Sequence, residues 1–87
     1  MLSAKDNKQE PPLYTRLGVL RSERGMSRKD LADAVGVHYQ TIGYLERGEF
    51  KPSLHLALRI AQYFEVPVEV VFSTAPFPRI GGGSRTA

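Results

Sequence analysis

Apolar residues recur through the middle of this chain with a helical period. Leu13, Leu17 and Leu20 fall at i, i+4 and i+7, which predicts a first helix over residues 13–24 closed by Gly25. Ser27 comes next, and with Asp30 three residues on it has the form of a capping box with a shortened acid, so a second helix starts at Arg28. That helix carries Leu31, Ala32 and Val35 inward and stops at Gly36. Only Gly36, Val37 and His38 intervene before Ile42 and Leu45 share one face of a third helix, 39–47, which Gly48 ends. Ser53 caps a fourth helix with two apolar stripes, Leu54, Ala57, Leu58, Ala61 and Leu56, Ile60, Tyr63. Two stripes predict burial on two sides and make this helix the spine of the core, with Phe64 near its end. After Pro67, the run from Val68 to Phe72 predicts one or two helical turns, although its β-branched residues also suit an edge strand. The polar start ending in Pro11-Pro12 and the Gly-rich end read as flexible tails, 1–12 and 74–87, around one domain over 13–73.

Composition narrows the classes. With 87 residues the chain buries only about 60% of its unfolded surface, which leaves little room for a deep catalytic pocket. There is no cysteine, hence no disulfide framework, no thiolate chemistry and no sulfur-ligated zinc. Apolar residues at 41% and charged residues at 24% match an ordinary globular protein. No apolar stretch approaches the 18 or so residues of a membrane span, and the N-terminus shows no secretory signal, so a cytoplasmic protein is expected. His38 and His55 have no acid at metal-ligand spacing, and no nucleophile stands with a base, so neither a metal, a cofactor, a small-molecule ligand nor a catalytic residue is expected. The net charge of +3 permits a polyanionic partner without requiring one. Between residues 13 and 51, Arg16, Arg21, Arg24, Arg28, Lys29, Arg47 and Lys51 outnumber Glu23, Asp30, Asp33, Glu46 and Glu49, so the first half of the domain is its basic side.

Two helices joined by a three-residue turn outline a helix-turn-helix. Counting from Arg28, a small residue falls at the fifth place (Ala32), a glycine at the ninth (Gly36) and apolar anchors at the fifteenth and eighteenth (Ile42, Leu45). Ala32 lets the crossing helix pass close, Gly36 can adopt the positive φ of the turn, and the two anchors leave the opposite face of the third helix exposed. One or two such matches arise in any helical hairpin. The whole set within twenty residues is specific.

The chain resembles the Cro/C1-type, or Xre, family of helix-turn-helix regulators over about Leu13 to Phe72, and the residues that carry the resemblance are LRSERGMSRKDLADAVGVHYQTIGYLERGEFKPSLHLALRIAQYFEVPVEVVF. The resemblance implies an all-α, compact five-helix lambda-repressor-like DNA-binding domain that binds a double-stranded operator as a two-fold homodimer, without catalysis or obligatory cofactor. It places Tyr39, Gln40 and Tyr44 in the major groove, where glutamine pairs with adenine and a tyrosine ring covers a thymine methyl. It makes Arg47 and Lys51 phosphate contacts, with Ser27, Arg28, Lys29 and Thr41 behind them, and Arg21 and Glu46 a structural ion pair. Two positions depart from the family pattern. Arg28 stands where a phosphate-binding glutamine is common, and His38 stands where a serine or threonine usually caps the third helix. For each of these surface residues the bland alternative is a solvated helix face.

A dimer needs an interface away from the third helix. Val68, Val70, Val71 and Phe72 are too many apolar side chains for one short element to bury against its own core, and Phe77 and Ile80 extend the patch. The expected function is a sequence-specific transcription regulator, with repression as the expected sign. The alternative is a protein-interaction module of the same fold, such as the neutralising subunit of a two-protein system, with DNA binding secondary.

Overall fold

The computed structural model describes residues 12–78. Extended backbone comes first. Pro12 disfavours a helix upstream, Tyr14 and Thr15 favour a strand, and the pair forms β1 (Tyr14–Thr15) ahead of α1 (Leu17–Glu23). This corrects the expected helix over 13–24. Its first turn is replaced by an antiparallel pairing with β2 (Phe72–Ser73), in register Tyr14 to Ser73 and Thr15 to Phe72. The Arg16 N–H donates to Val71 O at 2.9 Å and continues the pairing, so the domain's entry is stapled to its exit. A two-strand sheet is thereby added to the helical class, and Leu13 packs against the core from extended chain.

The helix-turn-helix pair is α2 (Arg28–Val35) and α3 (Tyr39–Glu46). The capping box is complete: Asp30 N–H donates to Ser27 Oγ at 2.9 Å, and Ser27 N–H donates to Asp30 Oδ2 at 3.0 Å. Gly36 ends α2 at φ 79°, where its own N–H and that of Val37 both reach Ala32 O. Gly48 is left-handed too, at φ 73°, and a Cβ there would stand 2.7 Å from Leu13 O. The loop after α3 is thus pressed against the chain entering the domain. Next come α4 (Leu54–Phe64), capped by Ser53 Oγ accepting from Leu56 N–H at 3.1 Å, and α5 (Val68–Val71).

Leu17 of α1, Leu31 and Val35 of α2, Ile42 and Leu45 of α3, Ile60 of α4 and Val71 of α5 are fully buried together. Each such side chain contributes about 1.5–3 kcal/mol by leaving water, so this shared centre holds the five helices in one body. The two-stripe reading of α4 needs correction. Leu56, Ala57, Ile60, Ala61 and Phe64 are buried, but Leu54 and Leu58 remain 71% and 42% exposed. α4 packs against α2 and α5, and neither covers the Leu54–Leu58 ridge. The interface premise for the last segment is corrected as well. Val71 and Phe72 are buried in the chain's own core, while Val68 and Val70 are half-buried and face different hollows. The short α5 turns Val71 inward and β2 brings Phe72 under β1, so one turn and one strand bury what a single straight element cannot. Phe77 lies under the Arg16 guanidinium, 4.3 Å from ring centroid to Cζ, whereas Ile80 lies outside the described residues.

Candidate nucleic-acid interface

Burying Ile42 and Leu45 fixes the rotation of α3. Its other face then presents Tyr39 and Tyr44, 51% and 45% exposed, with Gln40 also exposed. These three side chains, with Arg28 from α2, Gly43 and Arg47, line one shallow hollow of about 290 Å³. A Cβ added to Gly43 would meet Arg47 Nη1 at 3.4 Å and Arg28 Cδ at 4.0 Å, ordinary contact distances, so both arginine side chains lie close over this turn of the helix. The hollow is therefore amide and phenol in its middle and cationic at its rim. That arrangement suits a ligand with hydrogen-bonding edges flanked by phosphates.

Both arginines are held, and both keep donors to spare. Arg28 Nε donates to Glu46 Oε1 at 3.0 Å; Arg47 Nε forms an ion pair with Glu49 Oε2 at 3.1 Å, and its guanidinium lies over the Tyr44 ring at 5.2 Å. Arg47 and Glu49 are each about half exposed, where an ion pair contributes little, so the Arg47 guanidinium can be handed to a phosphate at small cost. Glu46 is different. Its side chain is only 8% exposed, and its carboxylate takes Arg21 Nε at 2.5 Å and Arg21 Nη2 at 3.3 Å besides Arg28. Hydrogen bonding to Glu46 raises the Arg21 pKa further above its ordinary value. Arg21 Nη1 also donates to Met26 O at 2.8 Å, so this cluster ties α1 and the loop before α2 to the end of α3. It orients the exposed helix and leaves one net positive charge beside the hollow.

The remaining expected phosphate contacts do not gather at the hollow. Ser27 Oγ is occupied as a cap, Lys29 pairs with Asp33 at 3.1 Å, and Thr41 is half-buried. Lys51 lines a separate apolar groove with Leu13, Pro52, Leu54 and Val68. Sequence reasoning missed three functional partners. His38 caps α3 itself, its Nδ1 accepting from Gln40 N–H at 3.1 Å. A ring nitrogen one bond further out than a serine hydroxyl can serve an N-cap, and the position directly before the helix was the available signal. Arg59 Nη1 donates to Val35 O at 2.6 Å and Arg24 Nη2 to Phe64 O at 3.2 Å, each satisfying a carbonyl at a helix end. Contacts 24 and 40 residues apart left no local pattern to read.

An exposed polar face on the second helix of a tight α2–turn–α3 unit, with cations at its rim, defines the helix-turn-helix class of DNA-binding domain. The helix-turn-helix family HTH_3, of the Cro/C1 or Xre type, matches residues 19–71, and the chain belongs to it. A relative from Archaeoglobus fulgidus, described as an uncharacterised HTH-type transcriptional regulator, is 43% identical over 60 residues, spanning 69% of this chain and 86% of that protein. YgzD of Bacillus subtilis, described in the same words, is 43% identical over 53 residues, 61% of this chain and 80% of its own. Among solved structures, the restriction-modification controller protein C.AhdI from Aeromonas hydrophila superposes with a TM-score of 0.59 at 31% identity, covering 63% of this chain and 83% of that one. The family is one of DNA-binding transcriptional regulators, not of enzymes. Among the described residues no helix is long and apolar enough to cross a membrane.

Proposed function

We propose that this protein is a sequence-specific double-stranded DNA-binding transcription regulator, a repressor acting in the cytoplasm as a homodimer on a palindromic operator. The observation that carries the reading is the hollow over α3, which Tyr39, Gln40 and Tyr44 line together with Arg28 and Arg47. Gln40 and the two tyrosines read base edges; Arg28 and Arg47 take backbone phosphates, with Ser27, Lys29, Thr41 and Lys51 adding contacts along the flanks. One recognition helix reads too few base pairs to select a site within a genome, so two copies act together. The exposed Leu54–Leu58 ridge, continuous with Val68 across one apolar groove, supports that assembly. His55, Arg59 and Gln62 border it, and Arg59 Nη1 is turned onto Val35 O at 2.6 Å, so the aliphatic side chains of Leu54 and Leu58 are what this face offers a second copy. The same ridge favours one rival, a module whose main partner is another protein.

The test is selection of bound sequences from random duplex DNA by the purified protein. Enrichment of a two-fold symmetric motif is expected, with half-site centres about 34 Å apart along the duplex. Enrichment of no motif would set aside the operator reading and leave the partner-binding module.

A further inference from the structure

We infer that His38 is a positioning residue for base recognition, acting through Tyr39, in addition to capping α3. The inference rests on the reading that α3 faces bases. Two contacts carry it. His38 Nδ1 accepts the Gln40 N–H at 3.1 Å, which fixes the plane of the imidazole. The face of that ring stacks on Tyr39, with centroids 4.8 Å apart and planes inclined at 27°. Among the described residues, the Gln40 N–H and the Tyr39 ring are the partners of the His38 ring.

The consequence follows from geometry. Tyr39 is the first residue of α3, half exposed, on the face that the core leaves free. A tyrosine at a helix start with only solvent around it samples several side-chain rotamers, and each must be given up on binding. The stacked imidazole restricts that choice before DNA arrives. Serine or threonine in place of His38 would cap the helix as well, yet would offer no ring to Tyr39. Phenylalanine would offer the ring and no acceptor. The two roles of His38 are therefore separable by substitution.

The experiment compares the parent with His38→Ser, His38→Phe and Tyr39→Ala. Base preference is measured by competition between the selected operator and its single-base variants, thermal stability by circular dichroism, and Tyr39 and Gln40 environments by NMR. His38→Ser is expected to keep the parent's melting temperature and to relax discrimination about 3- to 10-fold, at the same base pair that Tyr39→Ala relaxes and at no other. Its Tyr39 ring protons should lose the upfield displacement of a stacked neighbour while the Gln40 amide stays hydrogen-bonded. His38→Phe should do the reverse, keeping discrimination and the Tyr39 shifts while lowering the melting temperature. Unchanged discrimination in His38→Ser overturns the inference, as does a loss that is uniform over all sequences, which a merely structural role would give. If the parent selects no motif, the operator reading fails instead. Positioning for base recognition fails with it, and movement of the Tyr39 ring protons in His38→Ser then reports only that the imidazole restricts Tyr39.

Discussion

Gly48 shows how one backbone position can constrain a domain. Its φ of 73° is costly for any side chain, and a Cβ would sit 2.7 Å from Leu13 O, a backbone atom that cannot swing away. Gly48→Ala is therefore expected to cost about 2 kcal/mol or more, a fall in melting temperature of roughly 10 °C in a domain of this size. Gly36 has a similar φ of 79°, but a Cβ there would meet only Arg59 Nη1 at 3.5 Å, an ordinary van der Waals contact, so Gly36→Ala is expected to cost about 1 kcal/mol. Equal losses in the two melts would remove the Leu13 contact from the account. Asp30 is the residue whose charge links stability to pH. The Ser27 backbone hydrogen bond, then the Ser27 hydroxyl, holds its pKa below the ordinary carboxylate value. A depressed pKa stabilises the fold above the unfolded value of about 3.9 and loses that stabilisation as pH falls through the folded value. Thermal melts from pH 7 to pH 2 should therefore fall more steeply below about pH 4 in the parent than in Asp30→Asn.

At the scale of elements, α3 divides its work between bases and phosphates. Gln40→Ala should weaken operator binding by about 1–3 kcal/mol and leave binding to random DNA nearly unchanged, because a base contact is lost and the phosphate contacts remain. Arg47→Ala should weaken binding to every sequence and flatten the salt dependence by about one unit of slope. Titrations of operator and random duplex at several salt concentrations check both, and equal losses for Gln40→Ala on the two DNAs would remove that residue from the reading set. The capping box and the rotation of α3 were legible in the sequence because both depend on residues within a turn of each other. The sheet was not. Tyr14 and Ser73 are partners across nearly the whole domain, and neither carries a mark of the other.

For the whole molecule the question is assembly. Leu54 and Leu58 are exposed in the isolated chain, so charging them removes no core contact. The double substitution Leu54→Lys with Leu58→Lys is expected to leave the circular dichroism melt intact, convert the protein to a monomer in sedimentation, and weaken operator binding at least tenfold. A parent that sediments as a monomer both on and off DNA would show that this ridge does not join two copies. Charged residues at Val71 and Phe72 should instead unfold the domain, since those side chains belong to the core.

Local chemistry decided a large part of this protein in advance. Helices at 28–35, 39–46 and 54–64, the serine caps of the first and last of them, the Gly36 turn and the inward set Leu31, Val35, Ile42 and Leu45 depend on period and capping, which act within a few residues. The Arg21–Glu46 pair was legible through family resemblance, and its geometry has the two groups bonded. Tertiary structure alone decided the rest: that the chain enters as a strand, that Val71 and Phe72 are buried while Leu54 and Leu58 are not, and that Arg28 and Arg47 both lie close over Gly43. An apolar side chain specifies a wish to leave water, but which neighbour it leaves water against is set only when distant elements compete for the same core.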